Sequence, residues 1–168
     1  MTHPARLSYE LRNVETDDLQ RRRWIVGLSL FGAAMGALVS LYQVGILRRL
    51  PDPPGGLFNA TKVDASNYAY KRLDAPDGLL MTLTYAVTAL LAGAGGMDRS
   101  RSRPWLPLAM AGKAAYDAAT TVKLGREEWQ ENKALCQYCQ AATLASFAIL
   151  ALAVPEAISA ARTLAGRR

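Results

Sequence analysis

Apolar and polar positions are segregated into long blocks along this chain. Trp24 to Leu47 holds no charged residue, and neither do Gly78 to Met97 and Ala134 to Pro155. Each block reaches the ~20 residues that a helix needs to cross the hydrocarbon core of a bilayer. A fourth block, Pro104 to Leu124, is less apolar and carries Lys113 and Asp117. The pattern predicts an all-α fold, an integral membrane four-helix bundle, with helices at about 24–47, 78–96, 104–124 and 134–154. Pro155 is expected to stop the last helix, since it cannot donate to the helical ladder. Residues 1–23 read as a polar cytoplasmic tail with a short amphipathic helix around Tyr9 to Leu19. Residues 48–77 read as an exoplasmic loop, irregular across Pro51-Asp52-Pro53-Pro54-Gly55-Gly56. A second short helix is expected there from Asp64, its cap, to Leu73. Residues 156–168 read as a basic cytoplasmic tail.

Charge sets the orientation. The net charge of +6 comes from basic residues at the ends of apolar blocks, as Arg21-Arg22-Arg23, Arg99/Arg101/Arg103 and Arg162/Arg167/Arg168. Membrane proteins keep such residues on the cytoplasmic side. A nucleic-acid reader would gather them on one face with aromatics interleaved, so nucleic acid is not an expected partner. The loop charges place both termini in the cytoplasm of a multi-pass protein of the inner (plasma) membrane. The first apolar run is longer than a leader's, and no small-x-small site follows it, so it reads as an anchor. Its small residues, among them Gly27, Gly32 and Gly36, suit close helix packing in lipid. Trp24 and Trp105 suit the membrane interface.

The chain has two cysteines, Cys136 and Cys139, and one histidine, His3. Structural zinc takes four ligands, so no metal is expected, and c-type haem attachment would need a His after Cys139. A dithiol/disulfide pair or two unreactive thiols remain. In the first turn of a helix at the exoplasmic face, a thiolate is stabilised by the helix N-terminus and a disulfide persists. Lys113 and Asp117 share a helix face. They read either as a structural ion pair or as a proton relay, and the latter would admit a transporter. Tyr85, Tyr116 and Tyr138 could offer hydroxyls to a quinone carbonyl, or serve as packed or interfacial residues.

Cys136-Gln-Tyr-Cys139 at the start of the fourth helix resembles the vitamin K epoxide reductase family. So does Ala60-Thr61-Lys62-Val63-Asp64-Ala65-Ser66-Asn67-Tyr68, which is similar to that family's Cys-Ser-x-Val-x-x-Ser-x-Tyr stretch. Leu73 to Gly78 sits where the family enters its second helix, and the similarity spans roughly Trp24 to Pro155. The resemblance implies a membrane thiol-disulfide oxidoreductase whose helices enclose a quinone, menaquinone or ubiquinone. Cys139 would be the quinone-side cysteine, and Cys136 would exchange with an incoming thiol. Thr143 stands where animal members carry a tyrosine and would also face the quinone. The family's loop cysteines are missing, with Ala60 in the place of one. Electrons would then come from a separate thioredoxin-like dithiol protein acting directly on Cys136. The alternative is a non-enzymatic quinone- or lipid-binding membrane subunit that has lost the relay.

Overall fold

The computed structural model describes residues 4–166; His3, Arg167 and Arg168 lie outside the described residues. The fold is all-helical, with one isolated backbone bridge and no strand among the described residues. Four long helices carry it: α2 (Asp17–Gln43), α5 (Asp77–Gly93), α7 (Trp105–Asn132) and α8 (Gln137–Ala165). Helix α2 packs on α5 and α8, and α7 packs on α8. Short helices fill the connections: α1 (Pro4–Asn13), α3 (Ala60–Asp64), α4 (Asn67–Tyr70) and α6 (Arg99–Ser102).

The helix ends do not coincide with the apolar blocks: α2 starts before its block and stops at Gln43, α5 stops at Gly93, and α7 and α8 run on past theirs. Thr16 sits in extended backbone and its hydroxyl accepts from the Leu19 N–H at 3.2 Å. Asp17 and Asp18 follow at the positive end of the helix dipole. Helix α2 therefore begins seven residues before Trp24, and the expected amphipathic helix is displaced to Pro4–Asn13. Helix α7 runs on beyond Leu124 to Asn132, where Lys133 turns the chain in left-handed backbone (φ 51°).

Residues buried on α2 recur every three or four positions: Leu19, Arg22, Ile25, Ser29, Gly32, Gly36, Ser40. Two of these glycines let α5 come within backbone contact. A Cβ on Gly32 would lie 2.5 Å from the Tyr85 ring, and one on Gly36 would lie 2.9 Å from the Gly78 carbonyl. A Cβ on Gly78 would reach 2.7 Å from the Ser40 nitrogen. Close backbone approach through small residues is the usual adhesive where lipid removes the hydrophobic drive.

The end of α5 is closed by two buried guanidiniums. Arg22 donates to the carbonyls of Ala92 and Gly95 at 2.8 Å and of Ala94 and Gly96 at 3.0 Å. Arg99 donates to Leu91 at 2.6 Å and Ala94 at 2.8 Å, and grips the Glu156 carboxylate at 2.7 and 2.6 Å. These carbonyls are the orphan acceptors and negative end of the helix. Glu156 has to reach Arg99, which draws α8 straight through Pro155 to Ala165. The expected stop at Pro155 is thus corrected, and Arg22 and Arg99 are interior residues rather than loose flanks.

Outside, the polarity is reversed. Leu30, Leu83, Leu90 and Leu144 are 61–73% exposed, while Ser29, Ser40, Thr88, Arg99 and Glu156 are buried. Helices α2 and α8 are each long and apolar enough to cross a membrane, and α5 is a shorter apolar helix.

The 48–77 connection docks over the start of α8. Asn59 N–H donates to Leu135 O, and Leu135 N–H to Leu57 O, each at 3.0 Å. Tyr138 donates its hydroxyl to the Pro51 carbonyl at 2.9 Å, and Gln137 donates to the same oxygen. Lys62 reaches Asn132 O at 2.8 Å, and the Tyr68 hydroxyl reaches Leu124 O at 2.9 Å. The helix expected from Asp64 to Leu73 is shortened to α4, Asn67–Tyr70, with Ser66 and not Asp64 at its N-cap, while Asn59 caps α3 by accepting from Lys62 N–H at 2.9 Å. Asp64 is instead the last residue of α3 and is buried.

Candidate active site

Cys136 is the N-cap of α8. Its sulfur accepts from the Cys139 N–H at 3.4 Å, taking the place an oxygen usually fills. Its own N–H is held by the Glu128 carboxylate, which also accepts from Gln140 at 3.1 Å. Cys136 is fully buried beneath the connection, packed with Leu50, Ala60, Val63 and Tyr68. Cys139 is half-buried, and its sulfur lies within 4.8 Å of the Cys136 sulfur. Both thiols are free, as in the reduced pair.

Cys139 opens onto a cavity of about 300 Å³. The cavity lies between α5 and α7, with α8 as its third wall and Tyr68 and Arg72 across its mouth. Leu80, Met81, Leu124 and Ala142 supply apolar surface, and Thr84, Thr120, Gln140 and Glu128 supply polar atoms. Such a mixture, mostly apolar with a few convergent polar groups, is the usual form of a small-molecule site.

The anticipated site residues fall into two groups. Cys139, Tyr85, Tyr116 and Thr143 all line the cavity. Tyr85 is buried; its hydroxyl donates to the Ala142 carbonyl and lies 2.8 Å from Ser146 Oγ, so its one proton is already engaged. The Thr143 hydroxyl is likewise donated to Cys139 O at 2.9 Å. Tyr116 is 71% exposed and has its hydroxyl at the rim. Tyr138 is not brought to the cavity: it faces Pro51 and anchors the connection. Lys113 and Asp117 form an ion pair, and Lys113 also donates to Thr88 Oγ1 at 2.7 Å across to α5.

Two carboxyls escaped the sequence reading. Glu128 lines the cavity, and burial pushes its carboxyl up to about 7 against the pull of the Cys136 N–H. Asp64 is 1% exposed and both its oxygens lack a conventional hydrogen-bond partner. Burial lifts it to about 7, with the facing Cys136 thiol the main opposing influence. Asp64, Cys136 and Cys139 bring one potential ligand atom each within 4.8 Å of one another, one short of a tetrahedral set.

Residues 23–154 match the vitamin K epoxide reductase family. The chain belongs to that family. A search of curated proteins and a search of solved structures each returned no match. Vitamin K epoxide reductase membership points to a membrane thiol oxidoreductase, with quinone as the class of substrate and a thioredoxin-like protein as the class of redox partner. Ala60 is buried in the same apolar cluster as Cys136.

Proposed function

We propose that this protein is a quinone-dependent thiol oxidoreductase that spans the inner (plasma) membrane four times, with both termini in the cytoplasm. Support for the spans comes from the reversed polarity: leucines face outward and ionic groups face inward along the long helices. The C-terminal end of α5, with Arg22, Arg99 and Glu156, then lies at the cytoplasmic side. The start of α8 and the 48–77 connection lie at the exoplasmic side.

The observation that carries the redox reading is the placement of Cys139 in the wall of an apolar cavity while Cys136 lies behind it, under a peptide connection. A dithiol partner attacks the Cys136–Cys139 disulfide at Cys136, through a mixed disulfide. Since α3 covers Cys136, the partner gains access when the Asn59–Leu135 and Pro51 contacts release. The reduced pair then passes two electrons to a quinone, menaquinone or ubiquinone, held against Cys139. Tyr116 and Thr84 offer hydroxyls to it, and Met81, Leu80 and Leu124 its apolar contacts. Tyr85 and Thr143 shape the wall with hydroxyls turned to backbone carbonyls.

Purified protein in detergent, given a reduced thioredoxin-like donor and a soluble quinone, is expected to turn over with loss of quinone absorbance. Cys139→Ser is expected to abolish it. Ordinary turnover in that variant would exclude the mechanism. A second reading, a non-enzymatic quinone- or lipid-binding subunit, draws on the alanine at position 60. It expects a dithiol that neither donor nor quinone can alter.

A further inference from the structure

The proposed function does not use Asp64. Its side chain is buried beside Cys136 and Cys139, and both oxygens are unpartnered. A buried carboxylate without a donor or cation is strongly disfavoured. The titratable groups that face it are Cys136 and Cys139 from the start of α8, Glu128 from α7, Asp77 from α5, Asp52 from its own connection and Tyr70 from α4, whose hydroxyl is donated to Gln43 O at 3.0 Å. None of these is a cation. From α2, the Tyr42 hydroxyl is already donated to Thr61 O at 2.9 Å. Among the described residues, the two thiols are the proton-bearing titratable groups gathered at this carboxyl, both sulfurs lying within 4.8 Å of one Asp64 oxygen.

Those thiol protons exist in one redox state only. In the dithiol, an S–H can be directed at the carboxylate and stabilise its charge. In the disulfide there is no S–H, and an ionised Asp64 loses that support. We infer that Asp64 is a redox-linked proton carrier, protonated beside the Cys136–Cys139 disulfide and ionised beside the dithiol, exchanging one proton with Cys136 in each cycle. The inference rests on the proposed thiol–disulfide function.

The balance closes as follows. When a partner dithiol reduces the pair, the partner's two S–H bonds break and its S–S bond forms. The Cys136–Cys139 bond breaks and two electrons enter the pair. Cys139 takes one of the partner's protons, Cys136 takes the proton of Asp64, and the partner's other proton leaves to solvent. On reoxidation by a quinone, two electrons leave the pair, the S–S bond re-forms, and Cys136 returns its proton to Asp64. The quinone receives the Cys139 proton and one proton from solvent.

The test is the equilibrium of full-length protein in detergent with a small dithiol/disulfide buffer, measured against pH with no quinone present. Full reduction of one pair by another exchanges two protons for two and is independent of pH. With Asp64 releasing a proton, the equilibrium constant rises tenfold per pH unit from about pH 7 to roughly 8.5, where free thiols begin to ionise. Asp64→Asn is expected to flatten this dependence and Asp64→Glu to keep it. A merely structural Asp64 would leave the wild-type curve flat, and that result would overturn the inference. Redox-difference infrared spectra give a second readout: above pH 7, reduction should remove a protonated-carboxyl band from unmodified protein and not from Asp64→Asn, and a band unchanged on reduction of unmodified protein would refute the inference. Neither readout involves quinone. A flat curve in a protein that reduces quinone removes only the Asp64 role. A tenfold slope in a protein inert toward quinone removes only the quinone reading.

Discussion

Replacing Arg99 with Met should be among the most damaging single changes in this protein, and replacing Glu156 as well should repair part of the damage. Arg99 is fully buried, and its guanidinium meets Glu156 at 2.6 and 2.7 Å and two α5 carbonyls at 2.6 and 2.8 Å. Arg99→Met strands the Glu156 carboxylate without its cation, a loss of about 3–5 kcal/mol for a broken buried pair. Three carbonyls, of Leu91, Ala92 and Ala94, also lose a charged donor, although Arg22 continues to serve Ala92 and Ala94. Joining Glu156→Leu to Arg99→Met removes the stranded charge and leaves only the carbonyl loss, about 1–3 kcal/mol. The double variant should therefore be more stable than Arg99→Met alone by about 2 kcal/mol. Unfolding in mixed micelles, followed by tryptophan fluorescence, gives the four free energies of the cycle. Additive effects of the two substitutions would refute the reasoning, because they would mean that the ion pair is not a coupled element holding α8 past Pro155.

Other outcomes follow from the same geometry. Gly78→Ala should separate α2 from α5, since its Cβ would lie 2.7 Å from a backbone nitrogen that cannot move alone; a loss of at least ~2 kcal/mol is expected, and wild-type stability would contradict the close crossing. Tyr138→Phe frees Pro51 from one of its two anchors and should speed alkylation of Cys136 by roughly fivefold, the effect of about 1 kcal/mol on an opening equilibrium; an unchanged rate would show that the connection does not guard that thiol. The reduced protein should lose stability as pH rises. Asp64 and Glu128 bind protons in the folded state up to about 7, against ordinary values of 3.8 and 4.5. Their contribution is full below the ordinary carboxyl range and gone once pH has passed through about 7, at up to ~1.4 kcal/mol per unit and group. Unfolding at pH 5 and pH 8 checks the sign, and greater stability at pH 8 would contradict it.

Much of this was readable in the chain because apolar blocks and cap residues are local signals. The four long helices and the Cys136-Gln-Tyr-Cys139 turn needed nothing more, and the family match bears out the resemblance drawn from that turn and the 60–68 stretch. The helix ends were harder. Arg21-Arg22-Arg23 reads as a flank, yet Thr16 caps the helix earlier and Arg22 turns inward to carbonyls seventy residues away. Pro155 reads as a stop, yet the helix continues with Glu156 paired to Arg99 and with Ala157 and Ala160 buried beyond it. Asp64 reads as a cap by residue type, but Ser66 takes the N-cap of the following helix, and Asp64 ends α3 as a buried residue. Glu128 cannot be told from Glu127 or Glu131 in one dimension. What singles it out is the turn at Lys133, which folds the Cys136 N–H back onto it.

The most direct measurement is a single turnover without any donor. Reduced protein, mixed anaerobically with one equivalent of quinone, should yield one equivalent of quinol and a Cys136–Cys139 disulfide visible by mass spectrometry, with Cys139→Ser yielding neither. Quinone left unconsumed beside two free thiols would contradict the claim that the cavity brings an electron acceptor to Cys139.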